Sequence, residues 1–144
     1  MRRYETIFIL RPNVGEDEIT RVIESTTKII IDQGGTIIEL NKWGMKKLAY
    51  LIKKETLGYY VYCDFAGTPA GVAEIERKFR IDDSVLKYMT IKTGASISEE
   101  EIQEAVTAVS EKQTAAAEEE QETTEEEEET EDSEEDETEE TEDN

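Results

Sequence analysis

Between residues 41 and 50 the chain reads Asn-Lys-Trp-Gly-Met-Lys-Lys-Leu-Ala-Tyr, and this run holds the side chains best suited to grip an anion. It contains the only tryptophan, a glycine and three lysines. Trp43 beside Gly44 sets a flat ring next to a permissive backbone, while Lys42, Lys46 and Lys47 bring positive charge. A π-face with neighbouring cations suits an anionic, base-bearing polymer such as RNA: bases stack on the ring and phosphates meet the ammonium groups. The same residue types also fit a core tryptophan, a bulge glycine and solvated lysines. The elements that carry the run decide between these readings.

Catalysis has few candidates. The sequence contains no histidine, which excludes nucleophile–histidine dyads and histidine-ligated metal sites. Cys63 is the only cysteine, so no internal disulfide forms, in keeping with a reducing compartment, and cytoplasmic residence is expected. Cys63 lies in the middle of an apolar strand with only Lys or Arg to activate it, and reads as a buried, inert thiol. The first 96 residues offer no clustered carboxylates or Gly-rich phosphate loop, so no enzyme, metal, cofactor or small-molecule substrate is expected. No run approaches the roughly 18 apolar residues of a membrane span. The apolar run Ile7–Leu10 is too short for a signal-peptide core.

The net charge of −21 conceals two regimes. Residues 1–96 carry 15 Lys and Arg against 13 Asp and Glu, a net of +2. Residues 97–144 carry one Lys against 24 acids, a net of −23. The first stretch is long enough for one small domain with one modest core.

Period-two alternation predicts a strand over Arg2–Leu10, with Tyr4, Thr6, Phe8 and Leu10 on one face and Arg3, Glu5, Ile7 and Ile9 on the other. Arg11-Pro12-Asn13 ends it. A helix is predicted over Glu16–Gln33, acidic in its first turn, with Ile19, Val22, Ile23, Thr26 and Ile30 as its buried stripe; Gly34-Gly35 stops it. A second strand runs from Thr36 through the 41–50 run to about Ile52, with a bulge near Gly44, and Lys53-Lys54-Glu55-Thr56 forms the turn. The third strand is Gly58–Phe65, with Val61, Cys63 and Phe65 on one face and Tyr60, Tyr62 and Asp64 on the other. Thr68 caps a second helix with Pro69 at its first position and Val72, Ile75 and Phe79 buried. Val85–Lys92 is the fourth strand.

The order β-α-β-β-α-β predicts an α+β, ferredoxin-like split-βαβ domain over residues 1–96: a four-stranded antiparallel sheet with both helices on one face. The other face stays open and carries Ile7, Ile9, Tyr60 and Tyr62. These are too apolar for a freely solvated sheet, so they, with Tyr50, are candidates for contact with a protein partner; shielding by long neighbouring side chains is the alternative. Beyond the domain, Ser98 and Glu101 fit a capping box for a short, marginal helix within 97–112. Residues 113–144, nearly all Glu, Asp, Thr and Ser, read as a disordered acidic tail. It serves either as a solubilising extension or as a competitor with RNA for the lysines.

With this organisation the sequence resembles the bacterial small-subunit ribosomal protein S-six family over residues 1 to about 96. The marks are Met1-Arg2-Arg3-Tyr4-Glu5-Thr6, Arg11-Pro12-Asn13, Gly34-Gly35, Trp43-Gly44, Lys47-Leu48-Ala49-Tyr50, Gly58-Tyr59-Tyr60 and Leu86-Lys87-Tyr88-Met89, in this order and spacing. The resemblance implies a structural role in the small ribosomal subunit, binding its 16S-type RNA as a unit with ribosomal protein S-eighteen during platform assembly. It also implies RNA contacts from Arg2, Arg3, Lys46, Lys47, Lys87 and Lys92, which join Lys42 and Trp43 of the 41–50 run as candidates. Leu51 stands where members often have Pro, and Lys46 and Lys47 where Arg is common. Lysine keeps the charge but loses the flat two-pronged fork, which favours point contacts to phosphate.

A net of +2 is low for an independent RNA binder, so affinity is expected to depend on the co-binding protein. A stand-alone RNA-recognition-type domain is the runner-up. Tyr60, however, stands where its motif wants Gly or Ala, and Leu57 where it wants a basic residue. A third reading is a small-molecule sensor or enzyme on the same fold, for which catalysis has no candidate residues.

Overall fold

The computed structural model describes residues 1–117. Its elements are β1 (Arg2–Leu10), α1 (Glu16–Asp32), β2 (Thr36–Ile52), β3 (Glu55–Gly67), α2 (Pro69–Ile81) and β4 (Val85–Gly94), followed by helix α3 over 99–117. The sheet order is β2-β3-β1-β4, and every neighbouring pair is antiparallel. This is the ferredoxin-like plan that the alternation predicts.

The alternation of β1 and β3 builds the core directly. Tyr4, Phe8 and Leu10 from β1 and Val61, Cys63 and Phe65 from β3 meet all the apolar members of the α1 stripe and Ile75 and Phe79 of α2. Thr26, the polar member of that stripe, is buried with its hydroxyl donating to the Val22 carbonyl at 2.8 Å. The Thr68 hydroxyl caps α2 by accepting from the Gly71 amide at 3.1 Å. At the end of α1 the Gly35 amide donates to the Ile30 carbonyl at 2.8 Å and the Gly34 amide to the Ile31 carbonyl at 2.9 Å, with Gly34 at φ +76. That pair of bonds is a Schellman cap.

One boundary differs from expectation. The β2–β3 turn is Lys53-Lys54 alone, and β3 begins at Glu55 rather than Gly58. Both lysines sit in the left-handed region, at φ 48 and 67. Two consecutive positive φ values make the two-residue turn whose twist matches the flanking strands. Lysine pays about 1 kcal/mol or more for such a conformation, so no glycine or asparagine advertises the turn in the sequence.

A polar clamp ties α1 to the α2–β4 connection. Arg21 donates to Glu18 through Nε and Nη2 and reaches Asp82 through Nη2 at 2.9 Å, while the Ser84 hydroxyl donates to Glu18 at 2.6 Å. The Arg21 guanidinium, then the Ser84 hydroxyl, hold the Glu18 carboxyl down to about 2. A depressed carboxylate contributes stability that is complete above its unfolded value near 4.5 and is lost as pH falls through about 2. Glu18→Gln should therefore lower the urea midpoint at pH 6 and flatten its fall between pH 4.5 and 2. An unchanged midpoint at pH 6 would show that the clamp adds nothing.

The capping box is present: the Ser98 amide donates to Glu101 at 2.7 Å and the Glu101 amide to the Ser98 hydroxyl at 3.3 Å. Ile97 and Ile102 are buried, and the Ile97 amide donates to the Met1 carbonyl at 2.9 Å. The helix expected within 97–112 spans 99–117. The first five residues of the expected acidic tail, 113–117, are thus helical, and 118–144 lie outside the described residues.

Candidate nucleic-acid and partner interface

The face of the sheet away from α1 and α2 is built from in-register neighbours. Ile9 lies between Tyr60 and Lys87, and Ile7 between Tyr62 and Met89. Ile7, Ile9, Leu48, Ile52, Tyr60 and Met89 line most of an apolar groove of about 280 Å³. Of the predicted partner-contact residues, Ile7, Tyr60 and Tyr62 are half-buried and Tyr50 is exposed. Ile9 differs: Leu48 and Leu86, with Ile52 and Tyr60 beside them, bury it. Shielding by long neighbours thus applies at Ile9, which forms the floor of the groove rather than its rim.

Trp43 is not a core residue. It is 42% exposed and stacks on Tyr62, with ring centroids 5.5 Å apart and planes within 5°. Tyr60 continues the stack at 6.5 Å and 18°. The Lys46 ammonium stands 5.2 Å from the Trp43 ring centroid. The register of β2 slips between Lys42 and Gly44, where Gly44 takes φ +85. This bulge has a consequence for the whole site. It swaps the phase of alternation, so that Lys46 and Leu48 share the face that Trp43 occupies.

The predicted RNA-contact residues separate into groups. Lys46 and Lys87 belong to the open face, and Lys87 donates to the Tyr50 hydroxyl while its ammonium lies 5.2 Å from that ring centroid. Lys42 and Lys47 pair with Val61 and Leu57, which puts them on the opposite side of the strand from Lys46. Lys92 pairs with Tyr4, in phase with the helix-covered face, and Arg2 is in phase with Tyr4 and exposed. Arg3 is committed elsewhere: its Nε and Nη2 donate to Asp64 at 3.1 and 2.6 Å. Asp64 is only 3% exposed, so Arg3 neutralises a buried carboxylate. Asp64, Leu48, Leu86 and Met89 are site residues that the sequence reading did not assign. Asp64 was within reach, since it shares its face with Tyr60 and Tyr62.

Two titrating groups bear on chemistry. Burial, and secondarily Asp64, pushes the Cys63 thiol up to about 12, so it stays protonated and unreactive at neutral pH. Burial first, then Asp64 and Glu5, also raises Tyr62 far above the ordinary phenol range. Tyr62 is therefore a neutral stacking surface.

Comparison with known proteins gives this geometry a family. The model of the family described as Ribosomal protein S6 matches residues 3–92. A small ribosomal subunit protein bS6 from Desulfotalea psychrophila is 54% identical over 114 residues, covering 78% of this chain and 72% of the relative. The protein of the same name from Moorella thermoacetica is 43% identical over 89 residues, covering 62% and 91%. The crystal structure of 30S ribosomal protein S6 from Thermotoga maritima superposes with a TM-score of 0.60 at 34% identity, covering 63% of this chain and 86% of that one. The fold and open face thus define a ferredoxin-like domain of the ribosomal-protein class. The chain belongs to the ribosomal protein S6 family.

Proposed function

We propose that the chain is a non-catalytic structural component of the small ribosomal subunit in the cytoplasm. It binds small-subunit ribosomal RNA as a unit with ribosomal protein S-eighteen. The observation that carries this reading is family membership across the domain that builds the open sheet face. Two physical features support the division of labour. The apolar groove offers a protein partner area to bury, with Ile7, Ile9, Tyr50, Tyr60 and Tyr62 in or beside it. The Trp43 stack and Lys46 lie beside the groove, where a base and a phosphate find a ring and a cation. With a net of only +2 on residues 1–96, the domain contributes few phosphate contacts of its own, and the partner positions them.

The test is sedimentation of tagged protein from cell lysate through a sucrose gradient. Co-sedimentation with the small subunit that survives a wash in salt of roughly a few hundred millimolar, which screens weak surface contacts, is expected. A tag that stays at the top of the gradient overturns the reading.

A further inference from the structure

We propose that the tip of the β2–β3 arm, Lys53-Lys54, is a phosphate-contact site for a nucleic-acid backbone; this rests on the RNA-binding reading above and adds a site to it. The arm is defined by pairing. β1 reaches along β3 only as far as Tyr59, so past that point β3 pairs with β2 alone, and the tip lies beyond the end of the β1 ladder with Ile52 packed against the Ile9 cluster. Four lysines, at positions 46, 47, 53 and 54, lie on this arm. Its only acidic residue, Glu55, faces Arg11 at 3.8 Å. Positive charge is thus concentrated on one strand pair of a domain that is otherwise close to neutral.

Both tip lysines hold positive φ, where asparagine and glycine are favoured and a long side chain is not. Backbone strain kept in an exposed turn points to a use for the side chains. That use is not internal: both lysines are exposed, and among the described residues neither takes part in a hydrogen bond or an ion pair. A compact, strongly hydrated ammonium at the end of a flexible stem suits a phosphate as a point charge, without reading bases. A turn carrying two such charges, farther along the same strand pair than the stacking ring and Lys46, extends the anion-binding surface along the arm.

The experiment measures binding of the full chain, with its protein partner, to a transcript of small-subunit ribosomal RNA as salt rises from about 50 to about 200 mM. The double variant Lys53→Asn/Lys54→Gly removes both charges and supplies the residues the turn prefers. It is expected to melt several degrees higher than the wild type, about 4–8 °C for each kcal/mol of strain relieved. At the same time its RNA affinity falls roughly 3- to 10-fold, and the slope of log K against log salt shrinks by about one to two. Lys53→Arg/Lys54→Arg keeps the charge and is expected to keep the slope. A merely structural tip would gain stability with no change in slope, and that result overturns the proposal while leaving RNA binding intact. A wild type that binds no RNA, while an acidic protein responds to the double variant, overturns both readings.

Discussion

Gly35→Ala is expected to cost about 2–4 kcal/mol of stability and to lower the melting temperature by roughly 10 °C or more, although it adds a single methyl group. The added Cβ would lie 2.5 Å from the Ala66 carbonyl oxygen, 2.9 Å from the Ile30 carbonyl oxygen and 2.9 Å from Ile30 Cγ2. Two of these three atoms are backbone, so no rotamer change relieves the clash. The Ile30 oxygen also accepts the Gly35 amide that closes the helix cap, and Ala66 pairs with Thr36 at the start of β2. Relief therefore means opening the cap of α1 or prising β2 from β3. Gly34→Ala is the control. Gly34 has nothing within 4 Å of an added Cβ and carries only the left-handed φ of +76, a penalty of about 1 kcal/mol. Urea unfolding of the two variants measures the difference directly. Equal losses would mean that Gly35 is not packed against Ala66.

The contrast between these two glycines shows what the chain discloses locally and what it does not. Gly34-Gly35 after a helical stripe announces a stop, and the stop is there. That one glycine serves φ and the other serves a carbonyl of residue 66 depends on packing thirty residues away. The sheet faces are legible for the same local reason that the helix stop is. Period-two alternation in β1 and β3 assigns Phe8 and Val61 to the core and Ile7, Tyr60 and Tyr62 to the open face without knowledge of the register. The bulge at Gly44 was legible as a bulge, because a glycine interrupts a run that otherwise continues as strand. Its effect was not, because which lysines lie past the register slip depends on the pairing with β3. The phase change sends Lys46 to the side of Trp43 and leaves Lys42 and Lys47 on the other. Arg3 was hidden in another way. Its pairing with Asp64 crosses 61 positions and depends on β1 lying beside β3, so composition alone presents it as a free cation. The Lys53-Lys54 turn was illegible because its residues contradict the usual turn chemistry, and only the long pairing of β2 with β3 forces them into it.

Ile7→Asp is expected to weaken binding of the proposed protein partner about 100-fold or more while leaving the free domain folded. Ile7 sits at the centre of the open face, between Tyr62 and Met89, and borders the apolar groove. It is half-buried, and its neighbour Met89 is 56% exposed. In the free protein a carboxylate here keeps water on its outer side, so the loss of stability stays near that of an ordinary partly buried apolar residue, about 1 kcal/mol. Once a partner covers the groove, the same carboxylate is stripped of water among Ile9, Leu48 and Tyr60, while Lys87 on the groove wall is engaged by the Tyr50 hydroxyl and ring. Desolvation of an unpaired charge costs several kcal/mol, and about 3 kcal/mol is already more than 100-fold in Kd. Ile7→Ala sacrifices area only and should weaken binding by roughly 10-fold or less. Calorimetric titration of the purified pair, with a thermal melt of each free variant, separates the two effects. If Ile7→Asp binds its partner as the wild type does, the partner does not use this face. If it fails as expected, the proposed joint binding predicts that RNA affinity fails with it even though Lys46, Lys87 and the Trp43 stack are untouched, because a net of +2 on residues 1–96 offers few phosphate contacts.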